Sequence, residues 1–167
     1  MTLAADVVAE LTGRGLTVAV AESLTGGLVV AELVSVPGAS TVVRGGIVAY
    51  QTPLKQSLLG VDAGLLAEHG PVHPDVAAAM ATGVRDRLAV DGRRADVGLS
   101  TTGVAGPDDQ DGHAPGTVFV GLVVGDRVDV LRLRLSGDRS AIRSATVSEC
   151  LSSLLGLLRS DPRTGND

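Results

Sequence analysis

The sequence predicts an α/β fold, a three-layer α/β/α sandwich around a mixed sheet. Val-rich segments of strand length alternate with segments of helical period, which is typical of strands joined by crossover helices. Near the carboxyl end, two strand-like runs are separated only by Gly125 and Asp126, a plausible hairpin turn that forces at least one antiparallel pair. The chain has 167 residues, 44% hydrophobic and 20% charged, so we expect a single domain over residues 1–160 and a frayed polar tail over 161–167.

The first half of the chain reads as helix, strand, helix, strand and short helix. Pro37 and Gly38 stop the second helix, and Thr52 with Pro53 predicts the N-cap and first position of the third. The expected elements are a helix that begins near Leu3 and is closed by Gly13 and Gly15, a strand over 16–22, a helix after Gly27, a strand over 42–51 and a helix from Thr52 to Leu59.

The second half adds two helices, three strands and one long loop. The loop over 103–118 holds four Gly, two Pro and three Asp, a composition that disfavours regular structure. The expected elements are a helix from about Pro74 to Leu88, strands over 95–103, 116–124 and 127–136, and a helix from about Asp138 to Leu158.

Composition excludes several functional classes. Aromatic residues make up 1% of the chain and its formal net charge is -5, so it offers neither stacking rings nor a basic surface, and we expect no direct nucleic-acid ligand. No apolar run is long enough to cross a membrane. The lone Cys150 indicates a reducing compartment. We therefore expect a cytoplasmic protein with no membrane partner.

The segment from Ser23 to Gly27 links a predicted strand to a predicted helix. Open α/β sheets bind ligands at such strand ends, and the backbone N–H groups at Gly26 and Gly27 suit a phosphate or carboxylate. An ordinary N-cap with glycines in the turn explains the same residues. The segment matches neither the Walker loop nor the dinucleotide fingerprint.

Lys55 is the only Lys among 14 basic residues. Near the positive end of a helix dipole, and with any burial, its pKa should fall. A neutral amine could act as a general base for a hydroxyl, with Tyr50 as hydrogen-bond donor or proton relay. The alternative is a solvated Lys55 and a half-buried Tyr50.

Three further groups have plain structural explanations. Asp108, Asp109 and Asp111 could hold Mg²⁺, but carboxylates in such a loop are more often solvated. We reject a zinc site at His69 and His73, because glycine and prolines break the helix that their spacing would need. Arg139 and Arg143 lie one helical turn apart and could form a cationic clamp, although capping and surface charge explain them equally well.

Four ordered blocks resemble one known family. They read ESLTGG, PGAS…GGIVAYQTPLK, TGVAGPD…GTV and SGDR..IR, and they are similar to the C-terminal domain of the CinA (competence/damage-inducible protein A) family over about Ala21 to Leu158. Stand-alone members of that family are nicotinamide-nucleotide amidohydrolases. The third block departs from the family pattern: the usual loop leads into Lys-Pro-Val-Gly-Thr, whereas this chain has DDQDGHAPGT, so no role of that lysine is carried over.

The resemblance implies hydrolysis of nicotinamide mononucleotide to nicotinic acid mononucleotide and ammonia, within pyridine-nucleotide recycling, without metal or cofactor. On matching positions, Lys55 is the base and Tyr50 its partner, and the nucleophile is Ser40 or Ser23. We expect Ser40, since the helix after Gly27 then remains free for the substrate phosphate. The substrate-binding candidates are Thr25, Gly26, Gly27, Thr102, Gly103, Arg139 and Arg143.

A second hypothesis is a non-catalytic nucleotide-binding or protein-partner module linked to competence or DNA damage. Such a module needs the anion site but not Lys55. The expected partner is a small-molecule nucleotide, and a compact enzyme of this kind commonly forms a homo-oligomer, most often a dimer.

Overall fold

The computed structural model describes residues 2–160, and the tail expected over 161–167 lies outside the described residues. Five strands form one sheet with helices on both faces, which confirms the predicted fold class. The strands are β1 (Val18–Glu22), β2 (Val43–Val48), β3 (Val97–Gly103), β4 (Thr117–Val124) and β5 (Arg127–Arg134). The helices are α1 (Leu3–Arg14), α2 (Leu28–Val34), α3 (Thr52–Leu59), α4 (Ala63–His69), α5 (Pro74–Arg87) and α6 (Arg139–Ser160), with a single 3₁₀ turn at Ala39–Thr41.

The sheet is mixed, with strand order β2-β1-β3-β4-β5. Strand β1 pairs in parallel with β2 and with β3, whereas β4 is antiparallel to both β3 and β5. The predicted hairpin at Gly125 and Asp126 is therefore confirmed. Pairing with β1 passes from Val43 to Gly45, which places a β-bulge at Arg44.

The sheet carries a core on each face. On one face, α1, α2 and α6 cover Val20 and Leu99. On the other face, α3, α4 and α5 pack over smaller side chains. Helix α5 lies so close to the sheet that a Cβ atom on Gly98 or Gly121 would collide with carbonyl groups of the helix. The two glycines therefore permit this close packing. The hydroxyl of Ser100 donates to one of those carbonyls, at Ala77, over 2.6 Å.

Two local features differ from the sequence prediction. Helix α4 was not predicted, because none of its residues is fully buried and its apolar period is correspondingly weak. Helix α3 has Gln51 rather than Thr52 as its N-cap. This shift of one residue moves Lys55 from the third helical position to the fourth.

Within residues 2–160, no helix combines the length and the apolar character that a membrane crossing requires. The cytoplasmic location and the dimeric state stay predictions.

Candidate active site

The candidate site lies where three parallel strands end. Strand β1 leads into Ser23, β2 leads into Ala49 and Tyr50, and β3 ends at Gly103. Within the sheet, β2 lies next to β1 on one edge of that strand, and β3 lies next to β1 on the opposite edge. Such a reversal of strand order opens a crevice at the carboxyl ends of the strands, which is where open α/β sheets bind ligands.

The centre of the site is a buried lysine–serine pair. Lys55 is only 1% exposed, and its Nζ lies 3.1 Å from the Oγ of Ser23, which is 7% exposed. The same Nζ donates to the carbonyl of Ala49 over 2.8 Å and to that of Tyr50 over 3.5 Å. A neutral amine has two N–H groups and one lone pair. In the structure Nζ donates to Ser23 Oγ as well as to the two carbonyls. Once the amine has lost a proton, its two N–H groups match the two carbonyls and its lone pair faces the Ser23 hydroxyl.

Burial lowers the pKa of Lys55 from 10.5 to about 8. Removing an ammonium from water disfavours its charged form, and the three oxygens around Nζ carry no formal charge. The fall in pKa expected from the sequence is confirmed. A lowered pKa increases the share of neutral amine near neutral pH, which suits a general base.

A cavity of about 340 Å³ opens over the pair. Its floor includes Ser23 and Lys55, and one wall is the loop that follows β3. Its more exposed lining residues include Asp108, Asp109, Gln110 and Arg139. The lining residues are Ser23, Leu24, Tyr50, Lys55, Pro71, Val72, residues 102–110 and Arg139.

Glu22, the last residue of β1, is fully buried beside the nucleophile candidate. One carboxylate oxygen accepts the N–H groups of Gly27 and Val29 at 2.9 and 3.1 Å, and the other accepts that of Val30 at 2.9 Å. The start of α2 is therefore already occupied by a carboxylate of the chain itself. The N–H groups of Gly26 and Gly27 therefore have partners within the chain, the Ser23 carbonyl and the Glu22 carboxylate, and the substrate phosphate expected there stays a prediction.

Thr25 and Arg143 hold the turn after β1 in place. The hydroxyl of Thr25 is fully buried and lies 2.7 Å from that of Thr101. Arg143 donates to the carbonyls of Leu24 and Thr25 over 2.9 and 3.1 Å. The Thr25 hydroxyl and the Arg143 guanidinium therefore hold the Ser23 turn in place, whereas these bonds do not use the backbone N–H of Thr25. The expected role of the two residues in substrate binding stays a prediction.

Tyr50 and Arg139 meet at the rim of the cavity. The phenol oxygen of Tyr50 accepts a hydrogen bond from Arg139 over 2.8 Å, and Arg139 also donates to the carbonyl of Gly106 over 2.7 Å. Tyr50 is 56% exposed and reaches Lys55 through its carbonyl, not its phenol. Of the two arginines that could form a cationic clamp, Arg139 lines the cavity and Arg143 does not.

The other predicted residues divide between the cavity and the surface. Thr102 and Gly103 line the cavity, where the Thr102 hydroxyl donates to the carbonyl of Pro71 over 2.6 Å. Ser40 is exposed on the 3₁₀ turn and is not among the cavity residues. The structure therefore brings Lys55 to Ser23 and not to Ser40.

The described residues contain no group of three His, Cys, Asp or Glu side chains placed to hold a metal ion. The rings of His69 and His73 stack with centroids 4.3 Å apart, so they do not converge on one ion. Asp111 lies against Gly70, away from the cavity lining. Cys150 is buried in the core, and burial raises the pKa of its thiol, which makes it an unreactive packing residue.

Sequence reasoning missed Glu22 and the carbonyl of Ala49. A charged residue at the end of an otherwise apolar strand was the available signal for Glu22. No pattern of side chains identifies a backbone carbonyl as the partner of a lysine.

Comparison with known proteins decides the family. Residues 1–158 match the family model of the CinA C-terminal domain. The chain belongs to the CinA family. It is 48% identical over 161 residues to a CinA-like protein of Frankia casuarinae, an alignment that covers 94% of this chain and 36% of that relative. It spans little more than a third of the length of the curated relatives it matches.

Solved CinA structures have the same fold. A CinA superfamily protein from Klebsiella pneumoniae superposes with a TM-score of 0.88 at 28% identity, covering 94% of this chain and 96% of that one. The competence/damage inducible protein CihA from Agrobacterium tumefaciens gives a TM-score of 0.86 at 34% identity, covering 93% of each chain. The resemblance seen in the four sequence blocks is confirmed.

Proposed function

We propose that this CinA domain is an amidohydrolase that converts nicotinamide mononucleotide to nicotinic acid mononucleotide and ammonia, with Ser23 as nucleophile and Lys55 as general base. The observation that carries the proposal is the 3.1 Å contact between Lys55 Nζ and Ser23 Oγ at the floor of the cavity. The choice of substrate rests on the amidohydrolase activity of stand-alone CinA members. The decisive experiment is ammonia release from nicotinamide mononucleotide by the purified protein.

The reaction divides into two transfers of the acyl group. Ser23 Oγ attacks the carboxamide carbon while its proton passes to Lys55. The tetrahedral intermediate then collapses: the C–N bond breaks, and the departing amino group takes that proton from Lys55 and leaves as ammonia. Water attacks the resulting ester, again with Lys55 as base, and releases the carboxylate and the free serine. The net change is amide plus water to acid plus ammonia, and the base is regenerated.

Backbone N–H groups next to the nucleophile suit the developing oxyanion. The N–H of Ser23 itself donates to the carbonyl of Thr101 over 3.0 Å. Within residues 2–160, those of Leu24 and Thr25 donate to neither a backbone carbonyl nor a side chain. We assign the oxyanion to these two donors, because preorganised N–H groups stabilise the charge that forms in the transition state.

Arg139 is the phosphate-binding candidate, since the start of α2 is occupied by Glu22. Nicotinamide riboside, which lacks the phosphate, should be a poor substrate. A charge-assisted hydrogen bond is worth about 1.5 to 3 kcal/mol, so kcat/KM should fall by roughly 10- to 150-fold. Steady-state ammonia release from the nucleotide and the nucleoside measures this ratio.

An Arg139→Met variant should lose most of the preference for the phosphorylated substrate. The matched control is Arg94→Met, because Arg94 is an exposed arginine that pairs with Asp126 and does not line the cavity. An unchanged preference in Arg139→Met would place the phosphate elsewhere.

Ammonia release should survive an excess of EDTA, since Ser23 and Lys55 supply the nucleophile and base without a Lewis acid. The measurement is the turnover rate before and after chelator, with Mg²⁺ added back. Activity that vanishes with EDTA and returns with Mg²⁺ would contradict this mechanism and would move Asp108, Asp109 and Asp111 to the centre of the site.

A further inference from the structure

Glu22 is a buried carboxylate that the reaction steps above do not use. It is fully buried and immediately precedes Ser23 in the chain. Both of its oxygens accept backbone N–H groups from the first residues of α2 and the residue before them. Hydrogen bonds to a charged acceptor are roughly twice as strong as neutral ones, so this carboxylate fixes the far end of the turn firmly relative to the end of β1.

The turn between the end of β1 and the start of α2 carries the nucleophile. Gly26 and Gly27 adopt left-handed backbone conformations, with φ of 60° and 102°, so the chain reverses sharply and brings the start of α2 back over Glu22. The Ser23 end is fixed by its N–H bond to Thr101. Ser23 Oγ is therefore located by two anchors, the β3 backbone on one side and the Glu22 carboxylate on the other.

We infer that Glu22 is a positioning residue, which holds the turn over 23–27 so that Ser23 Oγ stays within hydrogen-bond distance of Lys55 Nζ and the Leu24 and Thr25 N–H groups stay free for the oxyanion. The inference rests on the proposed function. A misplacement of about 1 Å in such a constellation can cost on the order of 10²-fold in rate.

The test is Glu22→Gln, which keeps the side-chain volume. Its one amide oxygen cannot replace both carboxylate oxygens, and its NH₂ group faces an N–H donor, so the start of α2 must move. We expect kcat to fall at least about tenfold with KM within twofold of wild type. Reaction of Ser23 with a small fluorophosphonate, which forms an Oγ–P bond and expels fluoride, should slow in proportion. This second readout does not depend on the substrate.

Asp96→Asn is the matched control. Its carboxylate accepts the N–H and hydroxyl of Thr17, each over 2.8 Å, at the opposite end of the same sheet. We expect both Asp96→Asn and Glu22→Gln to have a lower melting temperature than the wild type. Only Asp96→Asn should keep kcat and the rate of fluorophosphonate labelling within twofold of wild type. If Glu22→Gln does not fold, Glu22→Asp gives the same readouts, because it keeps the charge but shortens the reach by one methylene.

A folded Glu22 variant with wild-type kcat and wild-type labelling would overturn the inference, since Glu22 would then serve only as a helix cap. Variants that lose activity through KM alone would overturn it as well. A wild-type protein that neither releases ammonia nor reacts at Ser23 would overturn the proposed function and this inference with it.

Discussion

Replacing Lys55 with Arg should abolish turnover. A guanidinium is never neutral near pH 7, so it cannot accept the Ser23 proton. General-base assistance is typically worth about 10² to 10⁴ in rate, and the loss should fall mainly on kcat. Arg is otherwise the only basic residue type besides His in this chain, so a role in surface charge would survive the change. Retention of more than about a tenth of wild-type kcat would refute the serine/lysine mechanism.

Lys55→Met distinguishes the enzyme hypothesis from the hypothesis of a non-catalytic binding module. It also tests whether the protein folds without the Lys55 amine. Methionine matches the length and flexibility of the lysine stem without its amine. A module that only binds a nucleotide should keep its affinity in this variant, because the amine faces Ser23 and two carbonyls. The enzyme should lose turnover and keep its circular dichroism spectrum. Isothermal titration with nicotinamide mononucleotide measures the affinity.

The wild-type pH profile should report the same amine. Lys55 must be neutral to act, and its pKa is lowered to about 8, so kcat/KM should fall about tenfold per pH unit below that value as the free enzyme becomes protonated. If the reaction instead required Lys55 as a charged ammonium, kcat/KM would fall on the alkaline side of the pKa. A profile flat from pH 6 to about 9 would contradict the assignment.

The order of elements was accessible from sequence because it depends on local signals. Strand-length Val runs, helix stops such as Pro37 and the turn at Gly125 each act within a few residues. Sheet order is a different kind of property. That β1 lies between β2 and β3 depends on which crossover passes over which face, and on the close packing that Gly98 permits against α5.

Composition alone identified Lys55 as a candidate, because it is the one lysine in a chain whose other Lys and Arg positions are all arginine. Its partner could not be found in the same way. Ser40 is nearer to Lys55 in the sequence than Ser23 is, yet the tertiary fold places the Ser23 hydroxyl against the buried amine. The preference for Ser40 also depended on reserving the α2 N–H groups for phosphate. A sequence does not reveal that the side chain of Glu22 reaches those groups first.

Ser23→Ala should therefore be inactive, and Ser40→Ala should behave as wild type. Removing the nucleophile leaves no group to form the acyl intermediate, so we expect kcat to fall by at least about 10³-fold. Ser40 is exposed on the 3₁₀ turn, outside the cavity lining, so its replacement should change kcat less than about twofold, as surface substitutions usually do. Both rates come from ammonia release by the purified variants.

Peptide mapping after fluorophosphonate treatment distinguishes the two serines without a substrate. The label should lie on Ser23 and should be lost in Lys55→Met, because an unassisted hydroxyl is a weak nucleophile at neutral pH. Ser40 can be modified only as slowly as any exposed serine, since Lys55 Nζ is engaged with Ser23, Ala49 and Tyr50. An active Ser23→Ala variant together with an inactive Ser40→Ala variant would restore Ser40 as the nucleophile. It would also require the turn over 38–41 to move onto Lys55 before each reaction.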